Sequence, residues 1–330
     1  MEHRQWLNQY RDELKGIAIL WIVFFHAQEV NGFLRYVQRL GYGGVDIFFF
    51  LMGYGLAHSL RNSDDLREYW RRRMWRILPS YIPLILVWSL VMLPGYQLST
   101  VQTIRSAVGN WLGLGYWFNV PKSFNWYVSA LFMFLLLAPF FYGFLARSSK
   151  PRLTVFIELS IVAGLGLCCV GLDQYMAISR LPVFILGIAF SMDWRPVLST
   201  AFKRIFYTLS LGLGLFLVVL CYEAYPELLL TYGMYWHPFV LITPPLCVLL
   251  CYFLHKTNKA RRLFAPLRVF GQASFEIFLV NIWLVELGKK HTLSGYAQWA
   301  VLCMICLGLG VAYHLLVNKV VKALRVPKQA

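Results

Sequence analysis

Ten apolar segments follow one another along this chain of 330 residues, and most of them are about as long as a bilayer is thick. They cover residues 13–33, 40–60, 77–94, 125–146, 153–172, 180–193, 205–222, 237–255, 269–287 and 297–317. A helix needs about 20 mostly apolar residues to cross the hydrocarbon core. Because 59% of the residues are hydrophobic and only 14% are charged, a soluble enzyme of this size is excluded. The sequence predicts an all-α polytopic membrane protein with about ten transmembrane helices.

The basic residues test this segmentation, because cytoplasmic loops of membrane proteins carry an excess of Lys and Arg. With the N-terminus placed inside, 24 of the 31 basic residues fall in the inside segments. The net charge of +16 therefore reflects loop asymmetry, and no nucleic-acid partner is expected. Both termini are predicted to be cytoplasmic. Residues 1–330 are predicted to form a single transmembrane domain with no appended soluble domain.

The seven cysteines lie in or beside apolar segments and are an odd number, so they do not form a disulfide framework. Cys303 and Cys306 have CxxC spacing, but no second pair or nearby histidine supports a metal site. We expect buried apolar cysteines and no metal cofactor.

The first apolar segment carries Lys15, His26 and Glu29, and polar groups inside a membrane span are functional candidates. The spacing of Lys15 and His26 places them within about 20° of each other on one helix face. His26 then stands about 20 Å above the inner edge of the hydrocarbon core. Glu29 lies at the i+3 position, where it either reaches the imidazole or faces water.

Two other segments bring polar side chains to nearly the depth of His26. By the same count, Asp46 lies about 21 Å and Asn281 about 18 Å above the inner edge. Three polar side chains at matching depth predict one intramembrane site, with His26 as a catalytic or a structural histidine. Asp46 either orients His26, caps the glycine-rich start of its helix, or pairs with Arg35 or Arg39.

The ninth segment adds a second polar residue below Asn281. Asn281 is either an interhelical hydrogen-bond donor or a substrate contact. Glu276 lies lower in the same segment and is either a substrate contact or the salt-bridge partner of an arginine.

An arginine-rich segment, REYWRRRMWRILP, covers residues 67–79 on the predicted cytoplasmic side. Its five arginines and three aromatic residues are typical of an interfacial helix that anchors to lipid headgroups. Arginine side chains also bind the phosphates of soluble ligands. Composition alone leaves both interpretations open.

Five blocks in a fixed order carry a family resemblance. They are RDELKGIAILWIVFFHA, GYGGVDIFFFLMGYGL, RRRMWRILPSYI, FNWYVSALFMFLLLAP and FGQASFEIFLVNIWL, and they span residues 11–284. Together they resemble the acyltransferase-3 family of integral membrane acyltransferases. The resemblance implies a ten-helix fold that takes an acyl group from cytosolic acyl-CoA and passes it to an extracytoplasmic acceptor.

The resemblance also implies roles for individual residues. His26 matches the histidine that is thought to be catalytic in the family. Arg72, Arg73 and Arg76 match the block that contacts the CoA phosphates. Lys15 is expected to support those phosphates or to extend to the inner interface.

Other positions match or depart from the family pattern. The Trp-Tyr block implies that Asn125, Trp126 and Tyr127 bind substrate. Met52 stands where the family usually has serine, and Asn281 stands where many members have histidine. A second imidazole is therefore not expected to take part in the chemistry.

The interpretation that follows is an acyl-CoA-dependent O-acyltransferase of the bacterial inner membrane, with His26 as general base on an acceptor hydroxyl. Asp46 or Glu29 would fix the tautomer of His26. By resemblance the acyl group is acetyl and the acceptor is a cell-envelope carbohydrate or another hydroxyl compound. The acyl group passes directly or through an acyl-histidine, and the residues leave both routes open. The alternative is a polytopic transporter or flippase without covalent chemistry.

Overall fold

A computed structural model describes residues 2–62, 65–192, 200–225, 238–257, 264–290 and 295–325. Throughout these ranges the regular structure is helical, which confirms the predicted all-α class. Of the basic residues assigned to inside loops, five lie outside the described residues: Arg195, Lys259, Arg261, Arg262 and Lys328.

The described helices are numbered here in chain order. They are α1 (Glu2–Gln9), α2 (Arg11–His26), α3 (Phe33–Arg39), α4 (Gly44–Arg61), α5 (Leu66–Val91), α6 (Thr100–Trp111), α7 (Trp126–Arg147), α8 (Pro151–Cys168), α9 (Tyr175–Ile178), α10 (Leu181–Ser191), α11 (Thr200–Ala224), α12 (Phe239–Lys256), α13 (Ala265–Gln272), α14 (Ser274–Lys290) and α15 (Tyr296–Arg325). Short 3₁₀ turns cover Leu40–Gly43 and Leu93–Tyr96.

Seven helical stretches in the described residues are long and apolar enough to cross a membrane. The pair α13 and α14, bent by 74° at their junction, makes an eighth when it is counted as one span. The chain is therefore a multi-pass membrane protein. Each of the ten predicted segments coincides with a helix, but α2 has 16 residues and α10 has 11, so the count of ten spans stays a prediction.

The arginine-rich segment does not precede the third span as a separate element. It forms the first part of α5, which continues without a break through Pro79 and Pro83. Its arginines, leucine and methionine are good helix formers, and membrane helices tolerate proline when neighbouring groups satisfy the freed backbone. The arginines are consequently fixed rigidly to the helix that enters the hydrocarbon core.

The chain divides into two compact units, each built from separated stretches. The first unit comprises Met1–Gln9, Asp46–Leu66 and Ile104–Lys256. In its core the ring of Phe134 packs 4.5 Å from that of Phe49 and 5.0 Å from that of Phe184, measured between centroids. These aromatic contacts join α4, α7 and α10.

The second unit comprises Tyr10–Val45, Arg67–Thr103 and Thr257–Ala330. Here α2 and α13 cross with their backbones almost in contact. A Cβ atom at Gly16 would overlap the carbonyl oxygen of Leu267, and one at Gly271 would overlap that of Asp12. Small residues allow membrane helices to pack this closely, and this crossing fixes α13 against the helix that carries His26.

Candidate active site

His26 and Asn281 meet in the second unit. Asn281 is 2% exposed on α14, and its Nδ2 lies 2.7 Å from Nδ1 of His26, the last residue of α2. Cys306 Sγ lies 3.7 Å from the amide oxygen of Asn281 and can donate a weak hydrogen bond to it. An asparagine amide can present either its N–H or its oxygen to Nδ1. Asn281 can therefore form a hydrogen bond with Nδ1 in either neutral tautomer of His26 and also in the imidazolium.

Gln38 stabilises the end of α2. Its Nε2 donates to the carbonyl oxygens of Phe24 and Gln28, both at 2.9 Å, and its Oε1 accepts from the backbone N–H of Val30 at 2.8 Å. The side chain is 2% exposed. Helix ends leave carbonyl groups without partners. Gln38 bonds one of these carbonyls, that of Phe24, and holds the turn directly after His26.

Glu29 does not lie on the same helix as His26, so the predicted i+3 contact is wrong. The helix ends at His26 because Ala27 adopts an extended conformation, with φ −69° and ψ 173°. The Oε1 atom of Glu29 instead accepts from Arg35 Nε at 2.6 Å and from Arg39. The hydrogen bond from Arg35 lowers the pKa of Glu29, and Arg39 adds to the effect. Glu29 is thus an ionised partner of α3.

Asp46 belongs to the first unit, where it pairs with Arg180 and not with the predicted Arg35 or Arg39. Arg180 Nε lies 3.8 Å from Asp46 Oδ2, and both side chains are buried. The guanidinium also lies over Trp126, 4.8 Å from the ring centroid, and donates to the carbonyl oxygen of Met176 at 2.5 Å. A buried charge needs such partners, and this arrangement supplies them for Arg180.

Asn125 and Tyr127 begin α7 in the same unit. The Oδ1 atom of Asn125 caps the helix by accepting from the backbone N–H of Tyr127 at 2.8 Å. The Nδ2 atom is buried and has no hydrogen-bond partner among the described residues. The Tyr127 ring packs 5.2 Å from that of Phe49, three residues after Asp46. Asn125 therefore keeps a buried donor beside Trp126.

Four cations of the second unit form what we call the basic cluster: Arg11 and Lys15 on α2, and Arg73 and Arg76 on α5. Arg73 is close enough to Arg76 and Arg11 for electrostatic repulsion between their charges, and Lys15 interacts in the same way with Arg76. The Nε–H groups of Arg11 and Arg73 are buried and have no hydrogen-bond partner among the described residues. Like charges repel, so this arrangement favours a bound anion.

The other members of this region are already paired. Lys15 Nζ donates to Asp12 Oδ1 at 3.0 Å, and Gln272 Nε2 lies 3.5 Å from Asp12 Oδ2. Arg72, which the resemblance assigns to the donor, is exposed and its Nε donates to Glu68 Oε1 at 2.8 Å. Arg72 is therefore an exposed residue with a carboxylate partner on its own helix.

Glu276 is held by Ser80 and His314, not by the arginine considered from the sequence. Ser80 Oγ donates to Glu276 Oε1 at 2.5 Å, and His314 Nδ1 lies 3.0 Å from Oε2. Tyr313 donates from its hydroxyl to the carbonyl oxygen of Ser80 at 2.7 Å. Ser80 and Glu276 are 0% and 5% exposed. A buried polar network therefore joins α5, α14 and α15.

Sequence reasoning missed Arg11, Ser80, Gln38 and Arg180 as site residues. Arg11 and Lys15 are four residues apart on one helix, and this spacing would have placed them on one face. Arg180 lies at the start of the sixth apolar segment, where the sequence pattern does not indicate its partner. The partners of Ser80 and Gln38 lie far away in the sequence or in a loop, where helical periodicity gives no signal.

Comparison with known proteins decides the family. Residues 8–317 match the acyltransferase-3 family, which is described as an acyltransferase domain. The chain belongs to this family. In this chain the group beside His26 is the amide of Asn281.

Two named acyltransferases are similar to part of this chain. The chain is 29% identical over 216 residues to O-acetyltransferase OatA of Staphylococcus aureus (strain NCTC 8325 / PS 47), which covers 56% of this chain and 34% of the relative. It is 30% identical over 141 residues to acyltransferase MdmB of Streptomyces mycarofaciens, which covers 39% of this chain and 36% of the relative. In both cases the match spans about a third of the relative. No solved structure matches the chain.

Proposed function

We propose that this protein is a membrane-embedded O-acyltransferase that moves an acyl group, acetyl in the first instance, from cytosolic acyl-CoA to an acceptor hydroxyl. The acceptor is an extracytoplasmic or membrane-associated carbohydrate of the cell envelope, and the membrane is the bacterial inner membrane. Family membership and the O-acetyltransferase name of one relative support this proposal. The observation that carries it is that one compact unit holds both His26 with Asn281 and the basic cluster.

His26 serves as the general base in this proposal. When Asn281 presents its oxygen to Nδ1–H, Nε2 is left as the basic nitrogen. Nε2 takes the proton of the acceptor hydroxyl, whose oxygen attacks the thioester carbonyl carbon. The carbon–sulfur bond breaks, and the leaving thiolate receives the proton from the imidazolium. Asn281, in place of Asp46 or Glu29, is the residue we propose to orient the ring.

The basic cluster binds the phosphates of the donor in this proposal. Acyl-CoA is polyanionic and its head cannot enter hydrocarbon, so it must remain where cations are available. The buried Nε–H groups of Arg11 and Arg73 are suitable donors to phosphate oxygens. Lys15 and Arg76 complete the positive charge.

The acceptor is proposed to bind residues at the start of α7. Asn125 offers a buried Nδ2 without a partner among the described residues, and Trp126 presents an aromatic ring beside it. An amide donor and an aromatic ring suit the hydroxyls and the apolar face of a sugar. Tyr127 supports this position by packing on Phe49.

Purified protein mixed with acetyl-CoA tests the proposal through detection of free thiol. We expect CoA to be released slowly with water as acceptor and faster when envelope carbohydrate is added. A transporter or flippase would release no thiol at all. Binding of acetyl-CoA without thiol release, even after envelope carbohydrate is added, would contradict the enzymatic proposal.

Replacing Arg73 and Arg76 together by alanine is expected to raise the dissociation constant for acetyl-CoA by about 10- to 100-fold, because charge-assisted contacts to phosphate are lost. Equilibrium binding of acetyl-CoA to the detergent-solubilised protein measures this. The matched control replaces Arg67 and Arg71, exposed residues of the same helix, and should change the constant by less than about twofold. If the dissociation constant for acetyl-CoA were unchanged in both double variants, the cluster would be a membrane anchor only.

A further inference from the structure

A cavity of about 330 Å³ lies between α5, α14 and α15 of the second unit. Its walls are largely apolar and include Pro83, Val280, Leu309 and Tyr313. The indole Nε1–H of Trp283 also lies at this cavity, and it is buried without a hydrogen-bond partner among the described residues. A buried donor beside an apolar space indicates a ligand with at least one acceptor oxygen.

The Ser80–Glu276 pair lies one helical turn from the lining of this cavity. Leu84 and Val280 line the cavity and lie four residues after Ser80 and Glu276, one helical turn along the same faces. Tyr313 lines the cavity and donates to the carbonyl oxygen of Ser80. Tyr313 therefore connects the wall of the cavity with the buried hydrogen-bonded pair.

On the side away from the cavity, the Ser80–Glu276 pair lies one helical turn from Arg76 of the basic cluster. Arg76 precedes Ser80 by four residues on α5, about 6 Å along the helix axis. Asn281, the partner of His26, follows Glu276 by five residues on α14, about 7.5 Å along its axis. Ser80 and Glu276 thus occupy the level between the cations and the proposed base.

We propose that this cavity and the Ser80–Glu276 pair bind the pantetheine arm of the donor, which makes the pair a determinant of donor specificity. This inference rests on the proposed function. The arm joins the phosphates to the thioester and carries amide groups, which need hydrogen-bond partners inside a membrane protein. The Glu276 carboxylate accepts a hydrogen bond from an amide N–H of the arm. The Ser80 hydroxyl forms a hydrogen bond with the same amide group.

The size of the cavity agrees with this occupant. A cavity of about 150 Å³ is sufficient for a benzene ring. The larger space here accommodates the methylene groups of the arm and a short acyl group together. Trp283 Nε1–H is then available to a carbonyl oxygen of the donor. Glu276 is consequently a donor contact in this proposal and not an acceptor contact.

Three acetyl thioesters separate the parts of the donor. Acetyl-CoA carries phosphates and amides, S-acetylpantetheine carries amides alone, and S-acetyl-mercaptoethanol carries neither. We expect Ser80→Ala and Glu276→Gln to lower kcat/KM for the first two donors by about 10- to 100-fold. Both variants should leave kcat/KM for S-acetyl-mercaptoethanol within about twofold. The control is Ser89→Ala on the same helix, whose Oγ bonds the Ile85 carbonyl oxygen.

The outcomes distinguish this inference from the proposed function. An equal loss with all three thioesters would show that the pair is only structural, and no loss with any donor would assign the cavity to bilayer lipid. Either result overturns the inference while thiol release by the unchanged protein upholds the proposed function. Binding of pantetheine itself, measured by calorimetry, needs no turnover. Ser80→Ala should weaken it about tenfold, and Arg73→Ala should not.

Discussion

Replacing His26 by alanine is expected to lower acetyl transfer by about 10²- to 10⁴-fold, the contribution that a positioned general base makes. The loss should appear in kcat, while the dissociation constant for acetyl-CoA stays within about twofold, because the basic cluster is intact. Thiol release with saturating acetyl-CoA measures the first quantity, and equilibrium binding measures the second. His58→Ala is the matched control, since this exposed histidine bonds Asn62 in the first unit.

The partner of His26 sharpens this test. Asn281→Ala removes the amide at Nδ1 and leaves the imidazole, so an intermediate loss of about tenfold is expected in kcat. Unchanged thiol release in His26→Ala would refute the assignment of the base whatever the asparagine variant does. A loss in Asn281→Ala alone would then make this polar pair a structural link between α2 and α14.

Replacing Gly271 by valine is expected to prevent correct packing of the second unit. A side chain here meets the backbone of Asp12, which cannot move aside as a flexible side chain would. Overpacking costs about 1–3 kcal/mol even against side chains, and a native protein is stable by only about 5–15 kcal/mol. We expect at least a severalfold lower yield of monodisperse protein after detergent extraction, and a lower melting temperature for what remains.

Gly308 provides the control for this substitution. It lies on α15 in the same unit, and a Cβ atom there would meet nothing within 4 Å. Gly308→Ala should therefore leave yield unchanged and slightly raise stability, since alanine favours helix. If Gly271→Val and Gly308→Ala behaved alike, the close crossing of α2 and α13 would not be needed for folding.

The helices were predictable from the sequence because apolar length and composition determine them locally. Their ends were less so. The segment predicted to run to residue 33 stops at His26, because Ala27 is extended, and Gln38 from α3 bonds the Phe24 carbonyl oxygen at this helix end. The arginine-rich segment and the third span merge into α5, since no local signal in the sequence separates them.

The partners of the site residues were not predictable in the same way. Counting depth placed His26 and Asn281 at a similar level, but depth does not specify which helices are neighbours. The pairing of Ser80 with Glu276 and of Asp46 with Arg180 depends on helix packing across the whole fold. A residue type at a given depth therefore suggests a role, and only the packing assigns its partner.

The interleaving of the two units along the chain also has a consequence for synthesis. His26 leaves the ribosome 255 residues before Asn281, which corresponds to roughly 10–50 s at ordinary rates of translation. For most of that interval Ser80 and the basic cluster are already made, but α13, α14 and α15 are not. The nascent second unit must therefore hold polar side chains in the membrane before their partners exist, which makes the timing of insertion part of how this fold is reached.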